Sequence, residues 1–111
     1  MRYALSLVLI AAAMVPAFAA QGGDEPSVAL SVKDRKFAPA ELTVPAGKRV
    51  TLTIKNLDAT AVEFESRDFK AEKIVPGGGE VSLHIGPLQP GTYGFFDDFH
   101  EDETKGTLVV K

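Results

Sequence analysis

Short stretches that alternate between apolar and polar residues, cut at close intervals by proline and glycine, limit what this chain can fold into. Val28-Ala29-Leu30-Ser31-Val32 and Val50-Thr51-Leu52-Thr53-Ile54 alternate with period two, and Glu41-Leu42-Thr43-Val44 runs into Pro45-Ala46-Gly47. Such alternation sends successive side chains to opposite faces of a strand, so each run reads as a half-buried strand. Residues 61–65, 80–85, 92–96 and 106–110 continue the pattern, with turns at Pro76-Gly77-Gly78-Gly79 and Pro87-Leu88-Gln89-Pro90-Gly91. Only residues 67–73 could hold a turn of helix. About seven short strands in a chain of this size predict an all-β fold, a two-sheet antiparallel Greek-key sandwich.

Composition narrows the function classes. Hydrophobic residues make up 45% of the 111 and charged residues 24%, which suits one small domain with a core. The formal charge is −3, so no broad basic surface for nucleic acid or an anionic membrane is expected. There are no cysteines, which excludes disulfides, thiolate metal sites, iron–sulfur clusters, cysteine nucleophiles and a cysteine-linked lipid anchor.

The first twenty residues differ in kind from the rest. Arg2 gives a positive start, an apolar run follows, Pro16 breaks it, and Ala17-Phe18-Ala19 has the small-x-small form of a signal-peptidase site. The apolar run is shorter than the roughly 20 residues of a membrane span and has no basic stop-transfer cluster after it. Residues 1–19 are therefore expected to be a cleaved secretory signal, residues 20–26 a flexible linker, and residues 27–111 the folded domain. Export would place the protein in the periplasm. Cleavage would remove both methionines, Met1 and Met14, and leave a chain without sulfur.

Two acidic clusters carry the candidate chemistry. Asp97, Asp98, Glu101, Asp102 and Glu103 surround His100 between the last two predicted strands. By itself such a run could be a solvated loop, but a central imidazole adds the commonest nitrogen ligand to carboxylates that suit hard or borderline cations. Upstream, Glu63 and Glu65 flank Phe64, so in a strand both carboxylates project from one face, about 7 Å apart, where they could share a cation.

Other features point to structure. His84 falls on the polar side of its strand with Ser82 and reads as an exposed sheet histidine. The run Gly77-Gly78-Gly79 lacks the lysine and the helix of a phosphate loop and reads as a hairpin turn. Ser66, Asp68 and His100 have no nucleophile-elbow pattern to make them a hydrolytic triad. Phe95, Phe96 and Phe99 have no interleaved basic residues and read as core or site-wall residues.

The order Asn56-x6-Glu63, Pro87-x2-Pro90-Gly91-Thr92-Tyr93-Gly94-Phe95-x-Asp97-x2-His100 and Gly106-Thr107-Leu108-Val109-Val110, with the upstream run from Phe37 to Gly47, resembles the small cupredoxins. In that family a strand ending Gly-Thr-Tyr-x-Phe-x-Cys leads into the loop that carries the copper ligands. The resemblance puts His100 at the loop histidine, Asp97 at the cysteine, Glu63 at the upstream histidine and Thr104 near the methionine. Three of the four blue-copper ligands are thus replaced, and thiolate-tuned electron transfer is not expected.

The centre Ala61-Val62-Glu63-Phe64-Glu65, followed by Glu72-Lys73-Ile74-Val75-Pro76-Gly77, is similar to the cupredoxin domain of EfeO-type periplasmic iron-uptake proteins. Those proteins carry a Glu-aromatic-Glu element and work beside high-affinity iron permeases. The resemblance implies a cupredoxin-like fold in which Glu63 and Glu65 approach Asp97, Asp98, His100 and Glu101 and hold iron or copper. Capture or delivery of that ion, in iron uptake, is the function expected. An alternative is a metal-free module that docks on a membrane permease or another periplasmic partner. No redox centre or nucleophile arrangement is present, so no enzymatic activity is expected.

Overall fold

The computed structural model describes residues 25–111. The expected signal segment, residues 1–19, and residues 20–24 of the expected linker lie outside the described residues. Nine strands follow: β1 (Ser27–Lys33), β2 (Lys36–Ala38), β3 (Glu41–Val44), β4 (Val50–Asn56), β5 (Val62–Ser66), β6 (Ala71–Val75), β7 (Glu80–Ile85), β8 (Gly91–Asp97) and β9 (Lys105–Val110). One turn of 3-10 helix, Asp98–His100, sits between β8 and β9.

The strands form two sheets, one in the order β2-β1-β4-β7 and the other β3-β9-β8-β5-β6. The all-β sandwich expected from the alternation is present, but the sheets are mixed where antiparallel pairing was expected. β1 runs parallel to β4, with Leu30 beside Ile54, and β3 runs parallel to β9, with Leu42 beside Leu108. Alternation says which face of a strand is buried and nothing about the direction of its neighbour, so the parallel pairs left no mark on the sequence pattern.

The core lies where the inward rows meet. Leu30 and Val32 of β1, Val50, Leu52 and Ile54 of β4, Val62 and Phe64 of β5, and Leu108 and Val110 of β9 are all buried. Phe37, Phe64 and Phe95 form its aromatic centre. Phe95 lies 5.1 Å from Phe37 in an edge-on arrangement and 5.3 Å from Phe64, within the favourable range for aromatic pairs. Gly106 stands opposite Phe95 across the β8–β9 pair, and a Cβ there would come within 2.3 Å of the Phe95 ring. A glycine at this position lets that ring cross the neighbouring strand.

Residues 67–73 do not form the expected turn of helix. Residues 67–70 are a turn ending at Lys70, whose φ is +55°, and the chain returns as β6 in full register with β5. The turn is fastened to β8: Ser66 donates to the Gly94 carbonyl at 2.6 Å and accepts from the Phe69 N–H, while Asp68 accepts from the Gly94 N–H at 2.7 Å. Short polar side chains that bond nearby backbone favour turns over helix, and here two of them do so.

Candidate metal centre

β5 reaches the site under the control of Asn56. Its side chain is fully buried, donating to the carbonyls of Thr60 (2.8 Å) and Val75 (3.1 Å) and accepting from the Asp58 N–H (3.0 Å). One amide thus ties the end of β4 to the loop before β5 and to the end of β6. From there Val62, Phe64 and Ser66 face the core, and Glu63 and Glu65 face outward from the five-stranded sheet.

The β5–β6 register adds a ligand candidate that the strand reading overlooked. Glu65 pairs directly with Glu72, and Glu63 pairs with Ile74. Oxygens of Glu63, Glu65 and Glu72 lie within 4.8 Å of one another. The signal for Glu72 was its place in the run Glu72-Lys73-Ile74-Val75, which is visible only once residues 67–70 are read as a hairpin turn.

The electrostatics of these groups agree with their crowding. Glu63 is pushed above the ordinary carboxylate range by partial burial first, then by Glu72, Asp98 and Glu65. Glu65 is pushed up by partial burial, Asp98 and Glu72, against the opposing pull of Arg67. Asp98 therefore belongs to the same negative field, at the start of the 3-10 turn. A field of this kind is relieved by protons or by a bound cation.

The remaining candidates have other attachments. Glu101 forms a two-pronged ion pair with Arg67, at 3.0 and 3.1 Å, which holds its carboxyl below the usual range. Arg67 also lies over the Phe96 ring, 4.4 Å from its centre. Asp97 is buried and caps the 3-10 turn: its Oδ1 accepts from the N–H groups of Glu63 (2.9 Å) and Phe99 (3.0 Å), and its Oδ2 faces His100 Nδ1 at 2.8 Å. Asp58, outside this group, is held below its usual range by the N–H groups of Arg35 (3.0 Å) and Asp34 (2.7 Å). Of the six residues singled out in the sequence, the structure gathers Glu63 and Glu65 with the new member Glu72 and sets Asp98 in the field of the first two. It pairs Asp97 with His100 and commits Glu101 to Arg67.

These donors do not fit a blue-copper centre. The chain has no cysteine to provide a thiolate, both methionines lie outside the described residues, and the buried carboxylate at Asp97 already has three partners. The outward cluster offers oxygen alone, the chemistry of harder cations. His84 stands apart on the other sheet, exposed as expected, with Nδ1 2.6 Å from the Glu25 carboxylate.

Comparison with known proteins places the molecule. An uncharacterized protein of Rickettsia prowazekii (strain Madrid E) is 36% identical over 96% of this chain and 89% of its own length. Auracyanin A of Chloroflexus aurantiacus, described as a "blue" copper protein, superposes with a TM-score of 0.66 at 18% identity, covering 78% of this chain and 99% of that one. Auracyanin of Roseiflexus castenholzii gives 0.65 at 21% identity, over 80% of this chain and 99% of that one. Amicyanin of Paracoccus versutus gives 0.62 at 16%, over 77% and 81%. At these identities the structural likeness establishes the fold. The sequence profile of the cupredoxin-like domain matches residues 5–110, and with that span matched the chain belongs to the cupredoxin-like domain family.

Proposed function

We propose that this protein is an exported, periplasmic metal-binding protein that captures or delivers an iron or copper ion, with iron uptake as its setting. The observation that carries the reading is the convergence of Glu63, Glu65 and Glu72 within 4.8 Å on one sheet face, with Asp98 contributing to the same field. Strand pairing sets the backbone of Glu65 directly opposite that of Glu72, so the two like charges are neighbours on one face of the sheet. An oxygen-only donor set favours ferric iron over softer ions, while divalent copper keeps an intrinsic affinity advantage over other divalent ions. A high-affinity iron permease is the partner that suits such a carrier.

The test is metal retention after desalting, read by elemental analysis. Wild-type protein should retain one ion, and a Glu63→Gln, Glu65→Gln, Glu72→Gln variant should lose it while keeping the fold. Equal retention by both would remove the basis of the proposal.

A second reading, a metal-free module that docks on a membrane permease or other periplasmic partner, is favoured by exposed Phe99 in the 3-10 turn and exposed Leu57 after β4. Co-purification with a permease that survives chelation would support it, and strict dependence of that association on metal would oppose it.

A further inference from the structure

The surface of Asp97 is fully covered, 0% of it being exposed. A carboxylate in that position is costly unless donors satisfy it. Oδ1 has two, the N–H groups of Glu63 and Phe99, and Oδ2 faces Nδ1 of His100. An ionised carboxylate only accepts, so Nδ1 must be the nitrogen that carries hydrogen, and in the neutral ring the lone pair then lies on Nε2. The His100 ring is 23% exposed.

The rest of the loop closes around this pair. The His100 carbonyl accepts from the N–H groups of Glu103 (3.0 Å) and Thr104 (2.9 Å), and the Asp97 N–H donates to the Thr104 carbonyl at 2.9 Å. The Thr104 hydroxyl, also fully buried, donates to the Arg35 carbonyl at 2.7 Å. From β8 to β9 the chain is held by its own donors and acceptors.

We infer that Asp97 is a positioning residue that fixes His100 as the Nδ1–H tautomer, making closure of the β8–β9 loop independent of metal and leaving Nε2 as the ring's ligating atom. Asp97 and His100 then cannot act as two ligands of one ion at Nδ1 and Oδ2, since a proton occupies the space between them. An ion that binds His100 does so across the ring from Asp97. This inference does not depend on the carboxylate cluster holding a metal.

Nitrogen-15 NMR of the imidazole rings tests it, at a pH about two units above the ordinary histidine value of ~6.5. Metal-free protein should show His100 with hydrogen on Nδ1, and added Zn(II) should leave that hydrogen in place. In Asp97→Asn the amide oxygen can still accept from the two backbone N–H groups, while its NH2 donates to Nδ1, so the tautomer should switch to Nε2–H. An Nε2–H ring in the wild type, displacement of the Nδ1 hydrogen by Zn(II), or an unchanged tautomer in a folded Asp97→Asn would each overturn the inference. Should that variant not fold, the two wild-type measurements still decide. Failure of the carboxylate cluster to retain metal would leave all these signals unchanged, so the two readings fail separately.

Discussion

Glu65 on β5 and Glu72 on β6 stand directly opposite each other in an antiparallel pair, two carboxylates on one outward face with Glu63 beside them. Like charges in that position oppose strand pairing. Within β6 itself the cation does not offset the conflict: Lys73 lies opposite Phe64 and not opposite a glutamate.

The conflict gives the metal-free protein a specific pH response. Glu63 and Glu65 titrate above the ordinary carboxylate value of 4.5, so near and above that value the folded state holds more protons than the unfolded chain. Their contribution to stability therefore rises as pH falls through the raised values and is unfavourable at neutral pH. Glu63→Gln with Glu65→Gln should raise the melting temperature at pH 7, and the gain should shrink on acidification. Other carboxylates, such as Asp58, are held below their usual range and lose stability in acid, so only the difference between variant and wild type isolates the cluster. Thermal unfolding of both proteins across pH checks this, and a difference that does not vary with pH would contradict it.

Metal affinity should follow the same groups in the opposite sense. Protons and cations compete for the carboxylates, so affinity should fall as pH drops through the raised values of Glu63 and Glu65, which lie above the usual carboxylate range. Equilibrium dialysis at a series of pH values is the check. Retention that persists unchanged into the ordinary carboxylate range would show that the ion sits elsewhere.

Arg67 tempers the cluster. It lowers the Glu65 carboxyl and occupies both oxygens of Glu101. Arg67→Met should remove a cation, release a carboxylate and increase cation affinity several-fold at low salt, with the gain diminishing as salt screens the charges. Dialysis at two ionic strengths measures it, and weaker binding in the variant would contradict the placement of the ion beside Glu65.

The architecture makes its own prediction at Gly106. A methyl group there meets the Phe95 ring at 2.3 Å, too close without displacing a buried aromatic. Gly106→Ala should cost about 1–3 kcal/mol, and Phe95→Ala about 3–5 kcal/mol through the cavity it leaves. Denaturant unfolding gives both values. A neutral Gly106→Ala would show that the ring has a second place to go.

Much of the fold could be read in the residues because most strands have one buried face. β1, β4 and β5 show it directly, with Leu30, Ile54 and Phe64 each at an alternate position facing the core. β6 could not be read this way. It is an edge strand whose outward face carries Glu72 and Ile74 and whose other row includes exposed Lys73, so neither row is cleanly apolar. β2 is three residues long with only Phe37 buried, too short to show a period. The site was half legible for the same reason. The outward direction of Glu63 and Glu65 follows from alternation, but their meeting with Glu72 depends on a hairpin register set by the turn after Ser66. The acidic loop is divided by the fold: its charges are adjacent in sequence, yet Asp97 is buried, Asp98 lies in the field of Glu63 and Glu101 pairs with Arg67.

Whether Glu63, Glu65 and Glu72 hold an ion is decided by loading the purified protein in turn with Fe(III), Fe(II), Cu(II), Zn(II) and Mn(II), desalting it and measuring bound metal. The wild type should retain one equivalent of iron or copper, and the Glu63→Gln, Glu65→Gln, Glu72→Gln variant should lose it. Retention of no ion by a folded wild-type protein would contradict it.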